Sequence, residues 1–130
     1  AGKGKEMTFY ADTDFILGII KEDDWLGSKA HKILKEHKGE IVTSMITVLE
    51  TIIVLKRSGI KNTPAIIEDI LEIAEPIYVD EDKLFQAAFY MEEGANPFEA
   101  FHTALSNDYP IISSDSIYDE LDKERIKLED

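Results

Sequence analysis

The feature that most constrains this chain is an alternation: short β-rich runs, most of them followed within a few residues by an acid, are separated by stretches with helical periodicity. Residues 7–11 (MTFYA), 41–43 (IVT), 76–79 (PIYV) and 110–113 (PIIS) read as strands, and 126–128 reads as a fifth at an edge. Residues 14–20 form a short helix. Asp24 is placed to cap a second, with Trp25, Leu26, Ala30, Ile33 and Leu34 at spacings of one, three and four, stopped by Gly39. Ser44 or Thr47 caps a third, carrying Val48, Leu49, Ile52, Ile53 and Leu55 to near Gly59. Residues 62–74 make a fourth helix with Pro64 early in it, where a missing N–H is tolerated. Asp80 caps a fifth that runs to Glu93 and breaks at Gly94, and Asn96 with Pro97 opens a sixth. Strands joined through helices need crossover connections, which imply a mainly parallel sheet covered on both faces. The expected fold is therefore α/β, a three-layer α/β/α arrangement around four or five strands. No repeat, linker or low-complexity block divides the chain, so 7–130 reads as one domain. Residues 1–6 (AGKGKE) read as a cloning remnant or disordered terminus.

Composition removes several classes. The chain has 130 residues, 44% of them hydrophobic, enough for one core and against intrinsic disorder. The longest apolar stretch, 15–20, falls far short of the ~20 residues that a bilayer crossing demands. Without a membrane span or a signal-peptide pattern at the start, a cytoplasmic protein is expected. Zero cysteines exclude disulfides, thiolate nucleophiles and cysteine-ligated zinc, so any metal must sit on oxygen or imidazole. With 27 acidic against 14 basic residues the net charge is −13, which argues against holding nucleic acid by broad phosphate neutralisation. It leaves a nuclease open, because carboxylates gathered around divalent cations carry much of that charge.

In parallel sheets of this kind the site lies beyond the carboxyl ends of the strands. The acids just past strands are Asp12 and Asp14, Asp80, and Asp115; Glu50 and Glu99 stand near helix starts. Each has a structural alternative. Thr47 to Glu50 and Asn96 to Glu99 both match a capping box, Asp12 can cap the helix after it, and Asp115 can cap a turn through 116–121. Taken as a set, two strand-end aspartates and two helix glutamates aimed at one crevice repel one another unless a cation compensates. Hard oxygen ligands select Mg²⁺ or Mn²⁺. Two such ions ~3.5–4 Å apart would activate a water and stabilise the leaving oxygen of a phosphodiester.

Other residues read more plainly. His102 follows Glu99 by three on one helix face, but the Glu-x-x-His pattern of di-iron bundles is needed twice and occurs once, so packing, or holding another ligand in place, is expected of it. His31 and His37 do not share a helix face. Trp25, Phe89 and Tyr90 sit at core-like helical positions, with Trp25 near enough to a terminus to serve a partner instead. Lys29, Lys32, Lys35 and Lys38 form a basic stripe that reads as a solvated face, with RNA contact the sharper alternative.

Residues 10–17 (YADTDFIL), 44–50 (SMITVLE), 97–104 (PFEAFHTA) and 111–115 (IISSD) together resemble, in order and spacing, the four motif blocks of PIN-domain ribonucleases, among them the VapC-like toxins of VapBC toxin–antitoxin pairs. The resemblance covers 7–128. It implies that Asp12, Glu50, Glu99 and Asp115 take the metal-binding and catalytic acid positions, with Ser113 matching the hydroxyl residue before the last acid and Asp14 and Asp119 as accessory acids. The third block carries Glu99 where the family usually has aspartate, and the position two after Asp115 is Ile117. The expected function is a Mg²⁺- or Mn²⁺-dependent endoribonuclease that hydrolyses RNA by in-line attack of a metal-activated water. Expected partners are an RNA substrate, a basic antitoxin-type protein whose Arg or Lys enters the acidic crevice, and a second copy in a homodimer. Two other classes compete. One is a catalytically weak PIN-like binding module acting through a protein partner. The other is a phospho-acceptor receiver domain, which would need a lysine at a late strand end that Lys123 and Lys127 do not supply.

Overall fold

The computed structural model describes residues 8–129, so the remnant reading of 1–6 and the place of Met7 in a strand lie outside the described residues. Five short strands, β1 Phe9–Ala11, β2 Ile41–Ser44, β3 Glu75–Ile77, β4 Ile111–Ser113 and β5 Arg125–Lys127, form one sheet in the order β3-β2-β1-β4-β5. Every pairing is parallel, with Tyr10 opposite both Val42 and Ile111. Seven helices connect them: α1 Thr13–Ile20, α2 Gly27–Glu36, α3 Met45–Arg57, α4 Thr63–Ile73, α5 Glu81–Glu92, α6 Pro97–Leu105 and α7 Ile117–Glu120. This is the three-layer α/β/α arrangement expected from the alternation.

The two-residue period of the strands assigns the layers. Phe9, Ala11, Ile41 and Ile112 point to one side, where they pack with Phe15 and Ile16 of α1, Ala30 and Ile33 of α2, Leu55 of α3, and Ile66, Ile70 and Ile73 of α4. Tyr10 and Ile111 point to the other, against Leu105 of α6 and Tyr118 of α7. Helix α5 lies outside α6 and meets it through Ala87, Ala100 and Ala104, small residues that let two helices approach closely. A similar approach joins α1 to α2: a Cβ on Gly18 would stand 3.0 Å from the Ala30 Cβ, so any larger residue there would push the helices apart.

Helix starts follow the caps with two exceptions. Asp12, Asn62, Asp80 and Asn96 accept from backbone N–H groups one to three residues on, and Pro64 and Pro97 stand in the first turn. Helix α3, however, begins at Met45 straight out of β2, so Glu50 sits in its second turn and the expected capping box with Thr47 does not form. Asp24 accepts from Leu26 N–H but does not reach α2, which starts at Gly27 and leaves Trp25 outside it, 77% exposed. Phe89 is likewise exposed on α5 and Tyr90 half-buried, so of the three aromatics none is core.

Candidate active site

From β1 the chain steps in one direction to β2 and β3 and in the other to β4 and β5, so the sheet's switch point falls between β1 and β4. Ligands of open parallel sheets bind at such a point, outside the carboxyl ends of the strands. Asp12 follows β1 directly, and Ser113 ends β4 with Ser114 and Asp115 just beyond it. A cleft of ≈ 450 Å³ opens there, lined by Asp12, Asp14, Glu50, Glu99 and Asp115 together with His102 and Tyr118.

Backbone anchoring places Asp12. The hydroxyls of Thr43 and Thr47 both donate to the Ala11 carbonyl, at 3.1 and 3.3 Å, which fixes the end of β1 one residue earlier. Asp12 Oδ1 accepts from Thr13 N–H at 2.8 Å as the α1 cap, a position where the helix dipole favours a carboxylate. Its Oδ2 accepts from the Ser113 hydroxyl at 2.7 Å, and Ser113 Oγ in turn accepts from Asp115 N–H at 3.0 Å. A single buried hydroxyl thus ties the two strand ends together.

Glu50 points the same way from α3. Its Oε1 accepts from the Thr13 hydroxyl at 2.7 Å and from His102 Nε2 at 2.5 Å. Burial would raise its carboxyl, but the bond and charge of His102 and the Thr13 hydroxyl outweigh that and hold it below the usual carboxylate range. His102, 2% exposed on α6, also faces Asp12 Oδ1 at 3.4 Å. Burial disfavours its charged form, yet Asp12 and Glu50 more than offset this and raise it above the ordinary imidazole value. Its other nitrogen, Nδ1, donates to Tyr10 Oη at 2.8 Å, and Tyr10 donates onward to Ser44 Oγ at 2.7 Å. Burial keeps the Tyr10 phenol protonated, far above its ordinary range.

Asp14 lies one helical step further along α1. Its Oδ2 accepts from Ser114 N–H at 2.8 Å and from the Ser114 hydroxyl, while Oδ1 is buried without a hydrogen-bond partner. Burial, and then the charge of Asp12, push its carboxyl up to about 7. Asp115 is exposed at the mouth, its Oδ1 accepting from Ile117 N–H at 3.0 Å, which is the turn cap expected of it. Glu99 completes a capping box with Asn96, accepting from Asn96 N–H at 3.3 Å. Asp119 is not among the residues lining the cleft; it pairs with Arg125 at 2.8 Å. Lys123 is spent on the carbonyls of Ser106 and Tyr109, and Lys127, at the end of the edge strand β5, is not among the residues lining the cleft.

Among the described residues, the compact group whose ligand atoms all lie within 4.8 Å of one another is Asp12, Glu50 and His102. Glu99 and Asp115 line the same cleft outside that group. His102 holds Glu50, one of the two roles expected of it, and Tyr10 behind it is the residue that the sequence did not single out. The signal for Tyr10 was weak, since a tyrosine on an apolar face reads as core.

The profile of the PIN domain family matches residues 9–124. The fold is similar to that of VapC20 from Mycobacterium tuberculosis, a sarcin–ricin-loop-cleaving toxin, with a TM-score of 0.78 and 16% identity over 92% of this chain and 99% of that one. It is also similar to a chain of FitAB bound to a DNA fragment, with a TM-score of 0.72 and 14% identity over 93% and 95% of the two chains. VapBC-1 from nontypeable Haemophilus influenzae matches with a TM-score of 0.66 and 16% identity over 94% and 98%. No curated protein matches the sequence significantly. At these identities the structural likeness is one of fold. The family profile spans nearly all of the described residues, and on that ground the chain belongs to the PIN-domain family.

Proposed function

We propose that this protein is a metal-dependent endoribonuclease of the toxin type, hydrolysing RNA phosphodiester bonds in the cleft beyond β1 and β4. The observation that carries the reading is the convergence of Asp12, Asp14, Glu50, Glu99 and Asp115 on that one cleft. These residues fit a divalent cation. Asp14 Oδ1 is a buried orphan, and its carboxyl is raised by burial and by the neighbouring Asp12. An oxygen-rich donor set of this kind suits Mg²⁺ or Mn²⁺, held by Asp12, Glu50, Glu99 and Asp115. A bound cation would supply a Lewis acid for the phosphodiester and lower the pKa of an attacking water.

The chain's own residues do the rest. Ser113 and Thr13 fix Asp12 through one oxygen each, so its position does not depend on a substrate. Glu50 is held below the usual carboxylate range and aimed into the cleft by the Thr13 hydroxyl and His102. Exposed Asp115 stands where a phosphodiester would enter, and buried Tyr118 lines the cleft behind it. The two hydrogen bonds that Glu99 makes as a cap favour a second reading, in which catalysis is weak and the protein acts by engaging a partner.

The partner reading is an antitoxin-type protein with basic side chains for the acidic cleft. Support comes from charge, −13 overall, and from similarity to a toxin–antitoxin complex from Klebsiella pneumoniae, at a TM-score of 0.66 and 15% identity. A homodimer, a cytoplasmic location and a single domain over 7–130 complete the proposal. One sheet running from Phe9 to Lys127 supports the last, and no helix among the described residues is long and apolar enough to cross a membrane. The test is cleavage of a mixed RNA pool titrated with Mg²⁺ and Mn²⁺, run with wild type, Asp12→Asn and Asp115→Asn. Metal-dependent cleavage lost in both variants supports the nuclease. Metal binding without cleavage by wild type would leave the binding-module reading.

A further inference from the structure

The geometry points to His102 as a nitrogen ligand of the cleft's cation, making the site a mixed imidazole–carboxylate one that prefers borderline ions such as Co²⁺ and Zn²⁺ over Mg²⁺. This rests on the metal-site reading above and deepens it. Three features of the residue carry it. First, His102 Nε2 stands 3.4 Å from Asp12 Oδ1, beside the space that Asp12 and Glu50 would share around an ion, and the Nε2 proton that it donates to Glu50 Oε1 at 2.5 Å would leave as an ion takes its place. The longer contact exceeds a good N–H···O bond, which runs to ~3.2 Å. It matches the ~3.0–3.4 Å between neighbouring ligands of one ion with bonds of ~2.1 Å.

Second, the remote nitrogen is fixed. Nδ1 donates to Tyr10 Oη at 2.8 Å, and Tyr10 is bonded to Ser44 Oγ at 2.7 Å, all of it buried. A metal-ligating histidine almost always donates its other N–H in this way, which sets the tautomer and aims Nε2. Third, the ring is packed in place, 2% exposed with Tyr10 edge-on against it at 5.7 Å between centroids. Imidazole suits Zn²⁺, Cu²⁺ and Ni²⁺, whereas all-oxygen sets suit Mg²⁺ and Mn²⁺, so one nitrogen shifts the order of preference.

The chain has three histidines, which makes the test clean. Co²⁺ is added to the whole protein, and proton NMR in water is searched for an exchangeable resonance shifted far outside the diamagnetic range, the Nδ1–H of a bound imidazole. Calorimetry follows Co²⁺ and Mg²⁺ binding in parallel. The expected result is one such resonance in wild type, its retention in the His31→Gln, His37→Gln double variant, and its loss in His102→Gln. Co²⁺ affinity should fall ~10–100-fold in His102→Gln, the range typical of disturbed metal sites, and Mg²⁺ affinity by much less. Should His102→Gln not fold, the double variant alone makes the assignment, since His102 is then the sole imidazole. Saturable Co²⁺ binding by wild type with no shifted resonance, or loss of the resonance in the double variant, overturns the histidine ligand and leaves the metal site standing. Absence of saturable binding by either ion overturns the metal site itself, and this inference with it.

Discussion

Tyr10→Phe isolates the hydrogen-bonded chain behind the site, because it removes one oxygen and keeps every ring contact. Tyr10 is fully buried against Leu105, Ile111 and Tyr118, so the hydrophobic contribution of the ring survives. What is lost is a pair of bonds, at 2.7 Å to Ser44 and 2.8 Å to His102. A buried hydrogen bond contributes ~1 kcal/mol net, and a partner left unsatisfied costs ~1–3 kcal/mol. Ser44 can rotate its hydroxyl, but His102 Nδ1 can find a new partner only by pulling Nε2 away from Glu50. The expected loss is therefore about 2–4 kcal/mol, within the ~5–15 kcal/mol stability of a domain this size. In urea, with a slope near 2 kcal/mol per molar, the unfolding midpoint should fall by about 1–2 M with the slope unchanged. RNA cleavage, measured well below the melting temperature, should drop ~10-fold or more in kcat with little change in KM, since a small misplacement of a catalytic constellation is enough. A midpoint within about 0.3 M of wild type would refute the argument, because His102 would then be held by something other than Tyr10.

Further tests separate charge from structure. Asp115→Asn keeps the turn cap, as asparagine accepts from Ile117 N–H equally well, so its melting temperature should stay within ~2 °C of wild type while cleavage falls ~100-fold or more. Asp14 holds a proton to about pH 7 in the fold but releases it near pH 4 when unfolded, so the folded state binds more protons between those values and stability falls as pH rises through them. Asp14→Asn cannot ionise; in chelator it should gain ~4 kcal/mol over wild type at pH 8 and nothing at pH 4, and a gain equal at both would disprove the buried-carboxyl account. Glu99→Gln should preserve the capping box and most activity, while Glu99→Asp should give up ~0.5–1 kcal/mol of cap stability and raise cleavage toward the family's usual aspartate pattern; complete inactivation by both would make Glu99 a direct ligand.

The sheet was legible because parallel strands buried on both faces leave short apolar runs, and helices between them admit one arrangement of connections. Asp12 and Asp115 were legible as a pair because each ends a strand next to the switch point. Glu50 was ambiguous for a local reason: a capping box and a cleft-facing second turn differ only in where the helix begins. That start depends on β2 running into α3 at Ser44 without a loop, and on Ser44 Oγ being drawn off by Tyr10 instead of capping. His102 was legible as a residue that packs or holds a ligand, but not its link to Tyr10, because periodicity gives the face of a helix and not what stands opposite it. The same limit explains Phe89, whose helical spacing from apolar neighbours marks a face that α6 does not cover. Asp119 is diverted by Arg125, a partner six residues away across a turn that no periodic pattern encodes.

Both margins of the sheet are poorly suited to adding further strands. On one side β3 is three residues long with Pro76 at its centre, which has no N–H to donate to an incoming chain. On the other, β5 is RIK, and Arg125 is turned back onto the Ser113 carbonyl and the carboxylates of Asp119 and Glu129. Short edges bearing proline and basic residues are the means by which parallel-sheet proteins avoid edge-to-edge polymerisation. Among the described residues the sheet therefore offers a partner only short, proline- and arginine-bearing margins, which disfavour recognition by strand addition and favour recognition through side chains on the helices and in the cleft.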